Sequence, residues 1–155
     1  MSLNIDLSYM TKNYKLTHVI AEDSGITLGA ALKTLFEQRV PEGVEGAGFG
    51  IAPLDEALAM ATVSVEGRAN SFIEAGSATR TMKKVEDTTG NDLEAFIEGL
   101  AQGMGCTIHL RVLKGKDPHH IWEAAFRSLG IALNGIFEKN TWRKDVIAGV
   151  KAVLK

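Results

Sequence analysis

The sequence predicts an α+β domain with helices packed on a sheet, built from two related strand-plus-helix units. Three observations carry this. The chain has 155 residues and 16.7 kDa, enough for one domain with a real core and too few for two ordinary ones. Hydrophobic residues make up 45% and charged residues 23%, a balance that excludes intrinsic disorder. Residues 18–32 (HVIAEDSGITLGAAL) also align without gaps on residues 119–133 (HHIWEAAFRSLGIAL). His18 falls on His119, Glu22 on Glu123, Leu28 on Leu129, Gly29 on Gly130, Ala31 on Ala132 and Leu32 on Leu133. Each copy follows a segment that reads as strand. Two copies are too few for a solenoid and fit a pseudo-twofold α+β domain.

Element by element, residues 3–10 (LNIDLSYM) alternate apolar and polar, the pattern of a half-buried strand. Residues 14–19 (YKLTHV) are a candidate second short strand. Over residues 20–36 the spacing turns helical, with Ile20, Leu28, Leu32 and Leu35 on one broad face. Gly25 and Gly29 are expensive inside a helix, which predicts close packing against a neighbour. Residues 40–50 (VPEGVEGAGFG), with four glycines and a proline, read as a loop, and Gly48 and Gly50 as turn glycines. Residues 57–65 read as a strand, followed by a turn at Glu66-Gly67 and a second strand over 69–74. Residues 75–91 are polar, with Arg80, Lys83 and Lys84 clustered. Asn91 or Asp92 caps a helix running to about Met104. Residues 107–113 (TIHLRVL) predict a strand and residues 121–134 a second amphipathic helix. Residues 142–155 read as a short helix or an extended tail. Met60 and Trp122 read as core or interface residues, and Cys106 as buried and inert.

Composition excludes several functions. A net charge of -2 and a pI near 6.1 leave no basic field for nucleic acid. A single cysteine builds neither a disulfide framework nor a cysteine-based zinc site and points to a reducing compartment. No apolar run approaches the roughly 20 residues that span a bilayer. The N-terminus lacks the basic-then-apolar layout of a signal peptide. The expectation is a soluble cytoplasmic protein with neither nucleic-acid nor membrane partners.

The histidines carry the chemistry. There are four: His18, His109, His119 and His120. In each repeat copy a His precedes a Glu by four residues, His18 to Glu22 and His119 to Glu123, and His120 lies three before Glu123. Such spacings put two side chains on one helical face. Imidazole with carboxylate suits manganese, iron, zinc and related divalent ions. One such pair alone is most simply a polar first turn, since the macrodipole favours Glu there. Two copies, a His pair and a lone strand histidine turn the reading toward a metal site.

These residues resemble the imidazoleglycerol-phosphate dehydratase family, manganese-dependent hydro-lyases of histidine biosynthesis. The resemblance rests on segments in the right order. Residues 21–32 (AEDSGITLGAAL) are similar to the family's segment after its first His-His pair. Ala52-Pro53-Leu54-Asp55-Glu56-Ala57-Leu58-Ala59 resembles its Pro-Met/Leu-Asp-Glu-Ala-Leu motif, and Val65-Glu66-Gly67-Arg68 its Leu-Ser-Gly-Arg turn. Ile108-His109-Leu110 resembles its Leu-His strand. Residues 115–127 (GKDPHHIWEAAFR) resemble its Gly-x-Asn-x-His-His-x-x-Glu-Ala-x-Phe-Lys, the most specific part.

The resemblance implies duplicated half-domains (ribosomal protein S5 domain 2-like) within one domain over 1–155, with 1–40 a remnant of the first half-repeat and 48–155 the second. The family's opening Arg-x-Thr-x-Glu-Thr strand and Asp-His-Met helix have no counterpart here, so the first half is expected to be truncated. The second histidine of the first pair is Val19. The implied metal ligands are His18, Glu22, His109, His119, His120 and Glu123, enough for one complete site and a weak second one, with manganese the foremost cofactor. The implied substrate is a small imidazole phosphate, its ring held between metals acting as Lewis acids. Glu22, Glu56 and Glu123 are the candidates for moving protons. Arg68 and Lys151 match the family's phosphate contacts. Plainer readings stay open: Arg68 as a surface arginine after a glycine turn, Lys151 as a tail lysine, Glu56 as a strand-edge carboxylate. The resemblance also implies a homo-oligomer of closed symmetry with metal ligands from more than one chain. The alternative is a non-catalytic or repurposed member that keeps the fold and assembly.

Overall fold

A computed structural model describes residues 5–10, 16–74 and 84–146. In chain order these form α1 (Thr17–Arg39), a 3₁₀ turn (Val40–Glu42), β1 (Ala47–Leu54), β2 (Ala57–Ser64), β3 (Asn70–Glu74), β4 (Lys84–Val85), β5 (Thr88–Thr89), α2 (Gly90–Met104), β6 (Thr107–Lys114), α3 (Pro118–Ile136) and a second 3₁₀ turn (Thr141–Arg143). Four strands make one sheet in the order β1-β2-β6-β3. β1/β2 and β2/β6 are antiparallel, and β3 runs parallel to β6. β4 and β5 form a separate short hairpin.

The sheet has one dry face. Ala57, Ala59, Ala61 and Val63 of β2 and Ile108 and Leu110 of β6 are buried, while their strand neighbours alternate outward. The small side chains of β2 let helices approach closely, and α3 lies on β1 and β2 with Ile121, Ala124, Ala125, Ala132 and Ile136 buried. β1 meets α3 almost backbone to backbone. A Cβ on Gly50 would stand 2.9 Å from Cβ of Ile131, and one on Gly48 would fall against the Ala132 carbonyl. Gly48 and Gly50 are therefore strand glycines under a helix, not turn glycines, and the glycine-rich stretch expected as a loop contributes the start of β1. Trp122 lies in the core, and Met60 is half-buried on the outer sheet face.

α1 packs on α2 rather than on the sheet. The two helices run parallel, since Thr17 meets Asp92 at one end and Gly29 lies against Met104 at the other. Their seam is Gly25 and Gly29 on α1 against Gly99 and Gly103 on α2. A Cβ on Gly29 would stand 2.7 Å from the Met104 nitrogen, and closer to the Leu100 carbonyl. The close packing expected of Gly25 and Gly29 is thus present, and α2 supplies it.

Several boundaries differ from expectation. Residues 5–10 form no strand, and residues 1–4 and 11–15 lie outside the described residues. The candidate second strand is overturned where it is described, because α1 begins at Thr17. Arg80, Lys83 and everything from 147 on lie outside the described residues, while Lys84 sits in β4. The repeat holds at the level of helices and stops at packing. Gly29 is enclosed by α2, whereas a Cβ on its counterpart Gly130 would meet nothing within 4 Å.

The cap of α2 is Thr89, not Asn91 or Asp92, and Asp92 completes a capping box. The Thr89 hydroxyl accepts from the Asp92 amide at 3.3 Å, while Asp92 Oδ2 accepts from the Thr89 amide at 3.1 Å and its hydroxyl at 2.7 Å. These bonds, the Thr89 hydroxyl foremost, hold the Asp92 carboxyl below its ordinary 3.8. A folded pKa below the unfolded one gives stability that is present above pH 3.8 and lost as pH falls through the folded value. Asp92→Ala is expected to cost about 1 kcal/mol at neutral pH, with the gap to wild type closing below pH 3.8. Urea unfolding at neutral and acid pH checks this; a gap that stays constant removes the carboxylate from the explanation.

Candidate metal centre

The sequence-predicted residues fall into three places. The first is the N-terminus of α3. Asp117 caps it, its Oδ1 accepting the His119 amide at 2.8 Å, and Pro118 opens the first turn. That fixes His119 and His120 in consecutive helical positions, roughly 100° apart around the axis, so their rings diverge. The ring centroids are 5.9 Å apart at 68°.

Each histidine has carboxylates at both nitrogens. His119 Nε2 lies 3.2 Å from Glu123 Oε2, one helical turn on, and its Nδ1 lies 3.4 Å from Glu86 Oε1. His120 Nδ1 lies 2.8 Å from Glu56 Oε2, and its Nε2 lies 3.5 Å from Asp55 Oδ2. Arg127 joins from the next turn, bonded to Glu123 and at 3.4 Å to the Pro53 carbonyl. Glu56 also clasps the β6–α3 loop, its Oε1 accepting the amides of Lys116 and Asp117 at 2.9 Å each. Those amides and His120 pull the Glu56 carboxyl down to about 2, the Asp117 amide contributing most. Glu56 in turn raises His120 above the ordinary histidine value.

The second place is the outer face of the sheet. His109 points outward from the middle of β6, stacked on Phe72 of β3 at 4.7 Å and 18°. An open concavity of about 550 Å³ runs over it, with Thr62, Ser64 and Thr107 in its lining. Arg68 is exposed in the β2–β3 turn at that end, where its carbonyl accepts the Thr107 hydroxyl at 3.0 Å. From His109 the strand runs five residues to Lys114, about 17 Å, before the loop turns to α3 on the opposite face. His109 therefore does not meet His119 and His120 within one chain. The third place is the first turns of α1, where His18 is exposed and Glu22 half-buried. Lys151 lies outside the described residues.

The donor chemistry at α3 fits a divalent cation. Two ligands each about 2.1 Å from one ion in a cis arrangement stand roughly 3.0–3.4 Å apart. The His119 Nε2 to Glu123 Oε2 pair, at 3.2 Å, has that spacing. Among the described residues, no group of three or more His, Cys, Asp or Glu side chains is placed to hold an ion. The expected six-residue ligand set is not gathered by one chain. Sequence reasoning missed Asp55 and Glu86 as site residues. Both are turn residues of two-residue hairpins with positive φ, 44° and 54°. A polar pair between strand residues, Leu54 to Ala57 and Val85 to Thr88, was the available signal.

The family model for imidazoleglycerol-phosphate dehydratase matches residues 2–133. An imidazoleglycerol-phosphate dehydratase of Pyrococcus furiosus is 36% identical over 142 residues, 91% of this chain and 75% of that protein. The one from Candida albicans is 38% identical over 137 residues, 88% of this chain and 58% of that protein. A crystal structure of the Pyrococcus furiosus enzyme in complex with (S)-C348 superposes with a TM-score of 0.67, covering 83% of this chain and 68% of that one. A Staphylococcus aureus structure of the same name, at 24% identity and a TM-score of 0.72, shares the fold.

Proposed function

This chain belongs to the imidazoleglycerol-phosphate dehydratase family, and from that premise we propose that it binds a divalent metal, manganese foremost, and acts as a hydro-lyase on a small imidazole phosphate in histidine biosynthesis. The observation that carries the reading is the α3 N-terminus, where a family-motif His-His-x-x-Glu holds Nε2 of His119 at ligand spacing from Glu123.

His119, His120 and Glu123 from one chain, with His18, Glu22 and His109 from neighbouring chains, are the residues that would hold the metal. Bound there, a divalent cation supplies Lewis-acid polarisation of the substrate's imidazole. The substrate's hydroxyl leaves from a position beside an unactivated C–H, so a base must take one proton and an acid must deliver one to the leaving oxygen. Glu22 is the proposed carboxylate for this work, since Glu123 is engaged by His119 and Arg127 and Glu56 by two amides and His120. Arg68, exposed near His109, and Lys151 are proposed for the phosphate.

Two observations support a closed homo-oligomer. The ligands lie in three separate places on one chain. The outer sheet face also exposes Phe49, Ile51, Phe72 and Leu113 by 45–57% around His109, an apolar surface suited to cover by another copy. A cytoplasmic location is part of the proposal; among the described residues no helix is long and apolar enough to cross a membrane.

The test is elemental analysis of untagged protein after dialysis against manganese, alongside an assay with imidazoleglycerol phosphate. Metal uptake with turnover of roughly 1–10³ s⁻¹ is expected. Uptake without turnover favours the non-catalytic reading, to which Val19 at the family's histidine position also points. No uptake at all sinks the metal part.

A further inference from the structure

The two histidines share a feature that a metal-binding motif alone does not require. Each Nδ1 faces a carboxylate delivered from a different hairpin turn: Glu56 from β1–β2 at 2.8 Å to His120, and Glu86 from β4–β5 at 3.4 Å to His119. Both turns are two residues long, and both place a non-glycine residue in the left-handed region, Asp55 in the first and Glu86 in the second. Neither glutamate belongs to α3, so the arrangement is built by tertiary structure at both rings. In both rings the other nitrogen, Nε2, faces the remaining acidic neighbour, Glu123 or Asp55.

The geometry points to Glu56 as a positioning residue that holds the proton of the neutral His120 ring on Nδ1 and so presents Nε2 as the ligand nitrogen. A neutral imidazole carries one N–H, and the nitrogen facing a hydrogen-bonded carboxylate keeps it. The opposite nitrogen then offers its lone pair in a fixed direction. Carboxylates behind ligand histidines orient the ring and raise its basicity. Glu56 does this while anchored by the Lys116 and Asp117 amides, so it cannot swing away without releasing the β6–α3 loop. Glu56 is thereby a positioning residue rather than an acid–base group, its two oxygens already accepting two amides and the His120 ring. At His119 the Nε2 contact to Glu123, 3.2 Å, is shorter than the Nδ1 contact to exposed Glu86, 3.4 Å, so Glu86 does not place that ring's proton.

The inference rests on the metal-binding reading only for the use made of Nε2; the proton placement stands by itself. The experiment therefore has two readouts on the full chain. Long-range ¹H–¹⁵N correlation of the metal-free protein reports which nitrogen bears the proton, at a pH where the ¹⁵N shifts show both rings neutral. Calorimetric titration with Mn²⁺ alone reports affinity. Wild type is expected to show Nδ1–H at His120. Glu56→Gln should move His120 toward Nε2–H and weaken Mn²⁺ about 10- to 100-fold, while Glu86→Gln should leave the His120 tautomer as in wild type. The wild-type tautomer is read without any substitution, so the test stays open if Glu56→Gln perturbs folding. Nε2–H at His120 in wild type, or a Glu56→Gln variant that keeps the wild-type tautomer, overturns the inference. Wild type that shows Nδ1–H at His120 yet takes up no Mn²⁺ sinks the metal reading and leaves the positioning role of Glu56 standing.

Discussion

Gly29→Ala and Gly130→Ala, substitutions at equivalent positions of the internal repeat, are expected to change stability in opposite directions. At Gly29 the added methyl would press on the Leu100 carbonyl and stand 2.7 Å from the Met104 nitrogen, both rigid backbone atoms. α1 and α2 must then separate along a seam that Gly25, Gly99 and Gly103 also hold close. Overpacking of this kind costs about 3 kcal/mol, more than the roughly 1 kcal/mol that alanine adds to a helix. Melting should drop by roughly 10 °C. At Gly130 the same methyl meets nothing within 4 Å, so only the helix preference acts and the protein should gain about 0.5–1 kcal/mol. Thermal unfolding of the two variants decides it. Equal effects of the same sign would show that α1 and α2 are not packed at this distance.

Chelation is expected to break the assembly, and His119→Ala or Glu123→Ala to break it more readily. The proposed ligands lie at the α3 N-terminus, on the outer sheet face and on α1, so an ion that gathers them ties copies together. Losing one ligand should also lower turnover by at least about 10²-fold. Light scattering with and without chelator reads the mass directly, against 16.7 kDa for one chain. A monomer under both conditions refutes metal-linked association. An assembly indifferent to chelator keeps the oligomer and moves its cause to burial of the apolar sheet face around Phe49 and Phe72.

Much of the fold was legible because it follows local periodicity. The strands over 57–65 and 107–113, the helix that became α2 and the helix that became α3 all appear where alternation or helical spacing placed them. β1 did not, because Gly48 and Gly50 read as turn residues in isolation. Their absence of side chains serves the close approach of α3, a partner about eighty residues away in the chain. The α2 cap was misassigned by a few residues for a similar reason: Thr89, Asn91 and Asp92 are all capping types, and only the direction of their side chains separates N-cap from third position. At the site, the His-x-x-x-Glu spacing of α3 was visible and its contact is made. Asp55 and Glu86 were not visible as partners, since hairpin turns bring them to α3 from distant parts of the chain.

The sequence by itself determined the fold class, the family and the identity of the chemical groups: helix and strand periods are local, and a His-His-x-x-Glu on a helix carries its own geometry. Only the tertiary structure decided which carboxylate faces which ring nitrogen, which glycine of the repeat is indispensable, and that His109 and the His119-His120 pair lie on opposite sides of one sheet. Those outcomes depend on the pairing of segments far apart in the chain. Two identical residues at matched repeat positions, such as Gly29 and Gly130, differ only in what the rest of the fold sets against them.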